Sequence, residues 1–144
     1  MQSSSSSIAI TRTRLLLSRA KSVLVITGAG ISVPSGIRPY RGKGGVYDTN
    51  PELQEIMTGP NLEKNPNTVW EELNRRRIAY KDATPNKAHE ILAKWEHQNR
   101  FGRFHLATQN IDDLHPKAGS RNLNQFHGNL WEMRRDREAP WQIC

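Results

Sequence analysis

Short apolar runs predict three strands. Residues 23–26 read Val-Leu-Val-Ile, a mostly β-branched run without polar alternation, which is typical of a central parallel strand covered on both faces. A second strand is predicted over residues 104–108 and a third, shorter one over residues 123–126. Small residues follow the first run directly, so we expect the chain to turn sharply where that strand ends.

Between the first two predicted strands, apolar residues recur with the spacing of a helix. One helix is predicted from residue 68 to about residue 80, and another from residue 85 to about residue 98, with Thr84 as the N-cap. Their apolar positions are Val69, Trp70, Leu73 and Ile78 in the first helix and Ala88, Ile91, Leu92 and Trp95 in the second. The order of strand, helices, strand and strand predicts an α/β fold with a parallel sheet.

Two other stretches have weaker patterns. Residues 1–21 are Ser-rich, contain Arg and lack acidic residues, and we expect a tail that leads into a short first helix. Residues 35–59 are rich in Gly, Pro and other turn formers, which predicts a long, mobile surface loop. Loops of this length usually carry function.

The length and net charge of the chain indicate which classes of binding partner suit it. The chain has 144 residues and a formal net charge of +7, which fits one compact domain or part of one. No acidic residue precedes Asp48, so the positive excess lies in the first third of the chain. This charge suits a phosphate-bearing ligand, a nucleic acid, an acidic partner or simply a solvated basic surface. Nucleic acid is the least favoured of these, because no basic patch interleaved with aromatic residues accompanies the charge.

The apolar runs and the cysteine count bear on the compartment. No run approaches the length of a membrane-spanning helix, so no membrane partner is expected. The single Cys144 excludes an internal disulfide framework and favours an intracellular compartment, either cytoplasmic or nuclear. A mitochondrial location is the alternative, because residues 1–21 match a transit peptide weakly.

The first candidate site is the turn after the first strand. Gly28-Ala29-Gly30 has the form in which backbone N–H groups can hold a pyrophosphate. The full dinucleotide fingerprint would require a third Gly at the position of Val33, and an acidic residue at the end of a second strand, whereas Asp48 lies in the Gly-rich loop. An ordinary nicotinamide dehydrogenase is therefore disfavoured, while a phosphate-binding turn is retained.

Two further candidates follow the other predicted strands. The segment 108–112 reads Thr-Gln-Asn-Ile-Asp, and His127 precedes a Gly after the third strand. Ligands of open α/β sheets bind beyond the carboxyl ends of the strands, so these side chains and the Gly turn would face one crevice. Amides suit ribose hydroxyls and a carboxamide, and an imidazole can act as a general base near neutral pH. The alternatives are a polar turn and a structural histidine.

Together, these features resemble the sirtuin family. The pattern is GAGIS-x-x-SGI, then Tyr-Arg-Gly, then TQNIDDLH-x-x-AG and finally HG, in this order and at these separations. It covers residues 22–134, and TQNID followed by HG at this spacing is highly specific. The resemblance implies a Rossmann-like sirtuin fold of the deoxyhypusine synthase and NAD-binding type. It also implies an NAD-dependent deacylase of acyl-lysine proteins that releases nicotinamide and O-acyl-ADP-ribose.

The same resemblance implies roles for individual residues. His127 and Asn110 would be catalytic, with His127 as the base that activates a ribose hydroxyl. Tyr40, where the family usually has Phe, would shield the anomeric carbon. The residues that would bind NAD are Gly28, Ala29, Gly30, Ser32, Tyr40, Arg41, Gln109, Asn110, Ile111 and Asp112.

The chain also departs from the family. Arg135 occupies the position at which the zinc module normally opens with Cys, and Cys144 is the only Cys, so the zinc expected for the family has no site in this chain. The four other histidines, at 89, 97, 105 and 115, have no metal-ligand spacing with a Cys pair, and no metal site is predicted.

The fold is accordingly expected to be incomplete, with the zinc module and the later strands missing. We expect a tail and first helix over residues 1–21, a partial catalytic domain over residues 22–134 and a divergent tail over residues 135–144. The alternative to a deacylase is a catalytically inactive fragment that binds NAD or ADP-ribose.

Overall fold

A three-stranded parallel sheet organises the molecule. In the computed structural model, which describes residues 2–134, 140 and 142–143, the strands are β1 (Ser22–Thr27), β2 (Arg103–Thr108) and β3 (Leu123–Gln125). Their order is β1-β2-β3, and both pairings are parallel. Thr108 pairs with Thr27 on one side and with Gln125 on the other, so the carboxyl ends of all three strands lie side by side, at what we call the carboxyl edge of the sheet. The predicted α/β fold with a parallel sheet is confirmed.

Helices precede and connect the strands. They are α1 (Gln2–Arg19), α2 (Val46–Thr49), α3 (Leu53–Ile56), α4 (Gly59–Lys64), α5 (Pro66–Tyr80), α6 (Lys87–His97) and α7 (Leu114–Lys117). A small antiparallel pair follows the sheet, formed by β4 (Glu132–Met133) and β5 (Gln142–Ile143). Among the described residues, no helix has the length and apolar character that a bilayer span needs.

The core lies between α6 and one face of the sheet. Leu92, Phe101, Phe104 and Leu106 form its buried centre, and Trp95 packs on them. The rings of Trp95 and Phe101 meet edge to face at 5.4 Å between centroids, an arrangement that aromatic pairs prefer. Val23 and Val25 of β1 pack against the same centre, so the core ties the sheet to α6.

The other face of β1 corrects one sequence prediction. Leu24 and Ile26 are 62% and 65% exposed, and β1 lies at an edge of the three-stranded sheet. The expectation of a central strand covered on both faces is therefore wrong for the described part of the chain. A continuous apolar run indicates that both faces of the strand are apolar. It does not indicate whether another part of the protein covers each of those faces.

The two predicted helices exist, but their ends and faces differ from expectation. The N-cap of α6 is Asn86, not Thr84, because the Asn86 side chain accepts the N–H of Ala88. In α5, Ile78 is 69% exposed, whereas the polar residues Glu72 and Arg76 are buried. Ala88 and Ile91 are also exposed on α6, so the predicted apolar faces are only partly those that face the protein.

The two weakly patterned stretches are more regular than expected. Residues 2–19 form the long helix α1 rather than a tail with a short helix. The predicted loop at 35–59 contains α2 and α3, and its residues Ile37 and Leu53 are buried. Short-range turn signals identified the breaks correctly, but they could not show that two buried apolar side chains anchor this segment.

A buried ion pair lies on α5. Arg76 Nε donates to Glu72 Oε1 at 2.9 Å, and the two side chains are 5% and 7% exposed. The exposed Arg75 donates to the other oxygen of Glu72 at 2.7 Å. Removing one partner of a buried pair leaves the other charge without compensation in a poorly solvated place, and this is strongly destabilising.

Replacing Glu72 with Ala is therefore expected to lower the free energy of unfolding by about 3–5 kcal/mol. The matched control is Glu90→Ala, because Glu90 also pairs with a cation on a helix, Lys87, but both side chains are exposed. That control should cost less than about 1 kcal/mol. Urea unfolding followed by circular dichroism measures both, and equal losses in the two variants would contradict the prediction.

Two histidines also lie in the interior. His89 and His115 are 0% and 1% exposed, and their ring centroids are 4.8 Å apart. Burial, with a smaller contribution from the neighbouring His89, lowers the pKa of His115 to about 4. Burial also lowers the pKa of His89, an effect that Asp112 opposes. Both rings are therefore neutral in the folded protein at neutral pH.

This burial predicts a loss of stability in acid. An unfolded histidine takes up its proton near pH 6.5, whereas folded His115 does so only near its pKa of about 4. The unfolded state binds more protons between these values, so stability falls as the pH falls through this window. His115 should account for up to about 3 kcal/mol of the loss. Urea titrations at several pH values should show a steeper decline in the wild type than in His115→Gln, and parallel declines would refute the assignment.

Candidate functional site

Three loops meet at the carboxyl edge of the sheet. The N–H of Gln109 donates to the carbonyl of Thr27 at 3.1 Å, and the N–H of Phe126 donates to the carbonyl of Thr108 at 2.9 Å. These bonds continue the strand pairing one residue beyond the strands. The Gly turn, the Thr-Gln-Asn-Ile-Asp segment and the His-Gly segment are therefore brought together, as predicted.

The loop after β1 is a glycine turn, which we define as residues 28–36. Gly28 is extended, residues 29–31 and 33–35 form two short 3-10 helices, and Gly36 closes the second with φ of 87°. That left-handed conformation strains any residue with a Cβ, which explains the Gly at this position. The chain thus reverses within a few residues, and its backbone N–H groups remain near the sheet edge.

Asn110 links this turn to β2. Its side-chain nitrogen donates to the carbonyl of Gly28 at 3.2 Å and to the hydroxyl of Ser32 at 3.0 Å. Its own backbone N–H donates to the hydroxyl of Thr108 at 3.1 Å. Asn110 is 7% exposed, so its side chain is held firmly at the wall of the site.

Ser32 and Asp112 lie behind that wall. The hydroxyl of Ser32 donates to Asp112 Oδ2 at 2.9 Å, and Asp112 Oδ1 accepts the N–H of Leu114 at 3.1 Å. Both oxygens of the carboxylate are thus occupied by protein donors, and both residues are buried. The structure joins Ser32, Asn110 and Asp112 into one hydrogen-bonded chain that supports the glycine turn.

The His127 ring is oriented by the residue that directly follows β2. Its Nδ1 lies 2.9 Å from the carbonyl oxygen of Gln109. A carbonyl can only accept, so Nδ1 carries the proton, and Nε2 of the neutral ring bears the lone pair. Because His127 is exposed and borders the cleft, this lone pair is available to a bound molecule.

These loops enclose a cleft of about 600 Å³. Its walls are formed by Ala29, Tyr40, Arg41, Tyr47, Met57, Leu73, Gln109, Asn110, Ile111, His127, Asn129 and Leu130. Six of the predicted binding residues, together with His127, line this cleft. Gly28, Gly30, Ser32 and Asp112 are not among its walls, although they belong to the turn or its supports.

Tyr40 and Arg41 approach the cleft from the segment after the glycine turn. The guanidinium of Arg76 lies 4.6 Å from the centre of the Tyr40 ring. Burial raises the pKa of the Tyr40 hydroxyl above its ordinary value, so the group stays neutral. Arg41 is exposed, and its guanidinium lies 5.6 Å from the ring of Tyr47. The cation therefore forms part of the cleft wall beside Tyr47.

Sequence reasoning missed five residues of the cleft wall. They are Tyr47, Met57, Leu73, Asn129 and Leu130. Leu73 was predicted only as an apolar helix position, and Asn129 follows the His-Gly segment closely enough to be suspected. Tyr47 and Met57 come from the region expected to be a loop, where no periodicity marks a side chain as facing a ligand, and Leu130 follows the last predicted strand, where no motif marks it.

The described residues contain no group of three or more His, Cys, Asp or Glu side chains that could hold a metal ion. The expectation that this chain has no zinc site rests partly on Arg135 and Cys144, and both lie outside the described residues. The side chains of the described residues therefore do not form the zinc site that the sirtuin resemblance implies.

Comparison with known proteins agrees with the geometry of the cleft. The Sir2 family model matches residues 28–137. An NAD-dependent protein deacylase of Daphnia pulex is 40% identical over 123 residues, which are 84% of this chain and 44% of that protein. Sirtuin-5 of Xenopus tropicalis, named as a mitochondrial NAD-dependent protein deacylase, is 43% identical over 84% of this chain and 40% of that protein.

Solved structures match in the same region. A mutant Sir2 homologue with ADP-ribose superposes with a TM-score of 0.80 at 34% identity, over 91% of this chain and 52% of that chain. A Sir2 homologue in complex with NAD gives a TM-score of 0.76 at 36% identity, over 92% of this chain and 51% of that chain.

The chain spans about half the length of these relatives, from 40% to 52%. Within that half, the family model covers the glycine turn, the Thr-Gln-Asn-Ile-Asp segment and the His-Gly segment, which are the three loops that form the cleft. By sequence, by fold and by the assembly of this site, the chain belongs to the Sir2 family.

Proposed function

We propose that this chain binds NAD in the cleft and provides the cofactor-binding part of an NAD-dependent protein-lysine deacylase. The observation that carries the proposal is the orientation of His127. Its Nδ1–H is bound to the Gln109 carbonyl, so the basic Nε2 belongs to a cleft that is also lined by the fixed side chain of Asn110. A base and a fixed amide in one cleft suit a sugar hydroxyl and a carboxamide.

The dimensions and chemistry of the cleft support NAD as the ligand. Its volume of about 600 Å³ is within the range of small-molecule and cofactor sites. The glycine turn brings backbone N–H groups to the sheet edge, where a diphosphate can be held. Arg41 adds a cation to the cleft wall. Relatives of this chain have been solved with NAD and with ADP-ribose.

In this proposal, each residue has a specific role. NAD would supply the bond between nicotinamide and ribose, which would break with nicotinamide as the leaving group as the acyl oxygen of the modified lysine bonds to the ribose carbon. His127 Nε2 accepts the proton of a ribose hydroxyl. The Asn110 amide nitrogen is committed to Gly28 and Ser32, so its carbonyl oxygen is the polar atom that the side chain presents to the ligand. Tyr40 and Ile111 exclude water from the reacting face.

Gly28, Ala29, Gly30 and Arg41 would then hold the diphosphate, and Gln109 would contact the ribose. Ser32 and Asp112 would act by supporting the glycine turn, because their polar atoms bond to each other and to the protein. Acyl-lysine proteins are the proposed substrates. One related structure contains a deacetylated p53 peptide, which supports a peptide substrate for this family.

A second candidate function is binding of NAD or ADP-ribose without turnover. It is supported by related structures that contain ADP-ribose and NAD as bound ligands. The two candidates share the cleft and differ only in whether nicotinamide is released. The proposed boundaries, 1–21, 22–134 and 135–144, apply to both.

The compartment is also a proposal. Relatives named sirtuin-5 are described as mitochondrial, and α1 is an acid-free helix that carries Arg12, Arg14 and Arg19. Both observations support the mitochondrial alternative beside the cytoplasmic and nuclear ones. Imaging of the chain fused at its C-terminus to a fluorescent protein, with and without residues 1–21, distinguishes these locations.

Asn110→Ala is expected to weaken NAD binding at least about tenfold, because it removes two hydrogen bonds that hold the turn and one amide that faces the ligand. Isothermal titration of NAD into the purified chain measures the Kd. The matched control is Asn124→Ala, an exposed amide on β3 that does not line the cleft, and it should bind as the wild type does. A folded Asn110→Ala protein with unchanged affinity would argue against this cleft.

His127→Ala is expected to leave NAD binding nearly intact but to lower nicotinamide release at least about a hundredfold, because the base is removed. The assay is release of nicotinamide from NAD in the presence of an acetyl-lysine peptide. Release that depends on His127 supports the deacylase. Binding of NAD with no release by the wild type supports the second candidate.

A further inference from the structure

The buried pair His89 and His115 is connected to both ends of the glycine turn. Neither ring lines the cleft. Both rings are too deeply buried to contact a ligand in the cleft, and among the described residues the pair has too few neighbouring donors to form a metal site. The hydrogen bonds of the two rings nevertheless connect them to the residues that hold the glycine turn beside the cleft.

His115 holds the start of the turn. Its Nε2 lies 2.9 Å from the hydroxyl of Thr27, which is the last residue of β1 and directly precedes Gly28. His115 lies in α7, three residues after Asp112, which ends the segment that also contains Asn110. One imidazole therefore ties the end of β1 to the helix that follows β2.

His89 holds the other end through Asn86. The backbone N–H of Asn86 donates to His89 Nδ1 at 3.3 Å, which completes the cap of α6. The Asn86 side chain donates in turn to the carbonyl of Ile31 at 2.7 Å and to the hydroxyl of Ser35 at 2.9 Å. The N-terminus of α6 is thereby attached to both short helices of the turn.

The protonation state of His89 follows from this geometry. A backbone N–H can only donate, so Nδ1 must accept, and the neutral ring carries its proton on Nε2. A proton on Nδ1 would abolish the bond from Asn86. The two rings meet edge to face at an interplanar angle of 65°.

We propose that His89 and His115 are positioning residues that fix the two ends of the glycine turn and so set the affinity of the chain for the diphosphate of NAD. The proposal deepens the proposed function and rests on it. It assigns to these histidines no contact with the ligand and no proton transfer. Their effect passes through Thr27 and Asn86 to residues 28–36.

Two substitutions separate positioning from simple filling of the core. His115→Phe keeps an aromatic ring in the interior but removes the bond to Thr27. Thr27→Val keeps the shape of the strand end and removes the same bond from the other side. His115→Gln is the conservative variant, since its amide can replace the bond. His97→Gln is the matched control, because exposed His97 bonds to the carbonyl of Gly119, remote from the turn.

Amide hydrogen exchange measured by NMR on the 144-residue chain provides the first readout, and it needs no ligand. The N–H groups of Ile31, Ser32 and Gly36 are bonded within the turn and report on it locally. In His115→Phe and in Thr27→Val, these amides should exchange at least about tenfold faster, while those of α5 keep their protection. His115→Gln should restore most of the protection, and His97→Gln should change nothing.

Titration of NAD provides the second readout. His115→Phe and Thr27→Val should bind NAD at least about tenfold more weakly, with His115→Gln in between. Uniformly faster exchange throughout the chain, or unchanged exchange in the turn, would overturn the positioning role. Should His115→Phe not fold, Thr27→Val decides the question alone. A wild type that does not bind NAD would defeat the proposed function, whereas the exchange measurement would still decide whether the pair positions the turn.

Discussion

Backbone pairing between β1 and β2 brings Thr27 level with Thr108, although the two residues are far apart in the sequence. Every feature of the cleft depends on this register. It places the Gly28 carbonyl within reach of Asn110, and it leaves the Gln109 carbonyl free to orient His127. A slip of one residue would turn each side chain of the strand to the opposite face, and it would separate all three motifs.

The register is itself secured by packing on one face. Phe104 and Leu106 of β2 and Val23 and Val25 of β1 lie against the core beneath α6. The side chains with the opposite phase include Leu24 and Ile26, which are exposed. Parallel sheets are normally covered on both faces, and the relatives that superpose on this chain extend to about twice its length. The uncovered face of β1 is thus the part of the molecule that the described fold leaves without a second layer.

Polar groups are buried behind the cleft, and nearly all of them serve the glycine turn. The chain from Asn110 through Ser32 to Asp112 supports the middle of the turn. Burying such groups is costly unless they are hydrogen bonded, and once bonded they allow few alternative arrangements. This explains how a turn built of small residues, which would otherwise be mobile, can have one conformation.

The sequence alone determined the type and order of the main elements and the identity of the residues around the cleft. Strong periodicity and turn signals are local, and the motifs lie at the strand ends, where ligands of α/β sheets bind. Only the tertiary structure decided which faces are covered, since the run at residues 23–26 is apolar on both. It also decided that Asn86 rather than Thr84 caps α6, because the side chain of Asn86 is drawn to Ile31 and Ser35 across the fold. The burial of His89 and His115 likewise depends on contacts between distant segments, which no spacing along the chain reports.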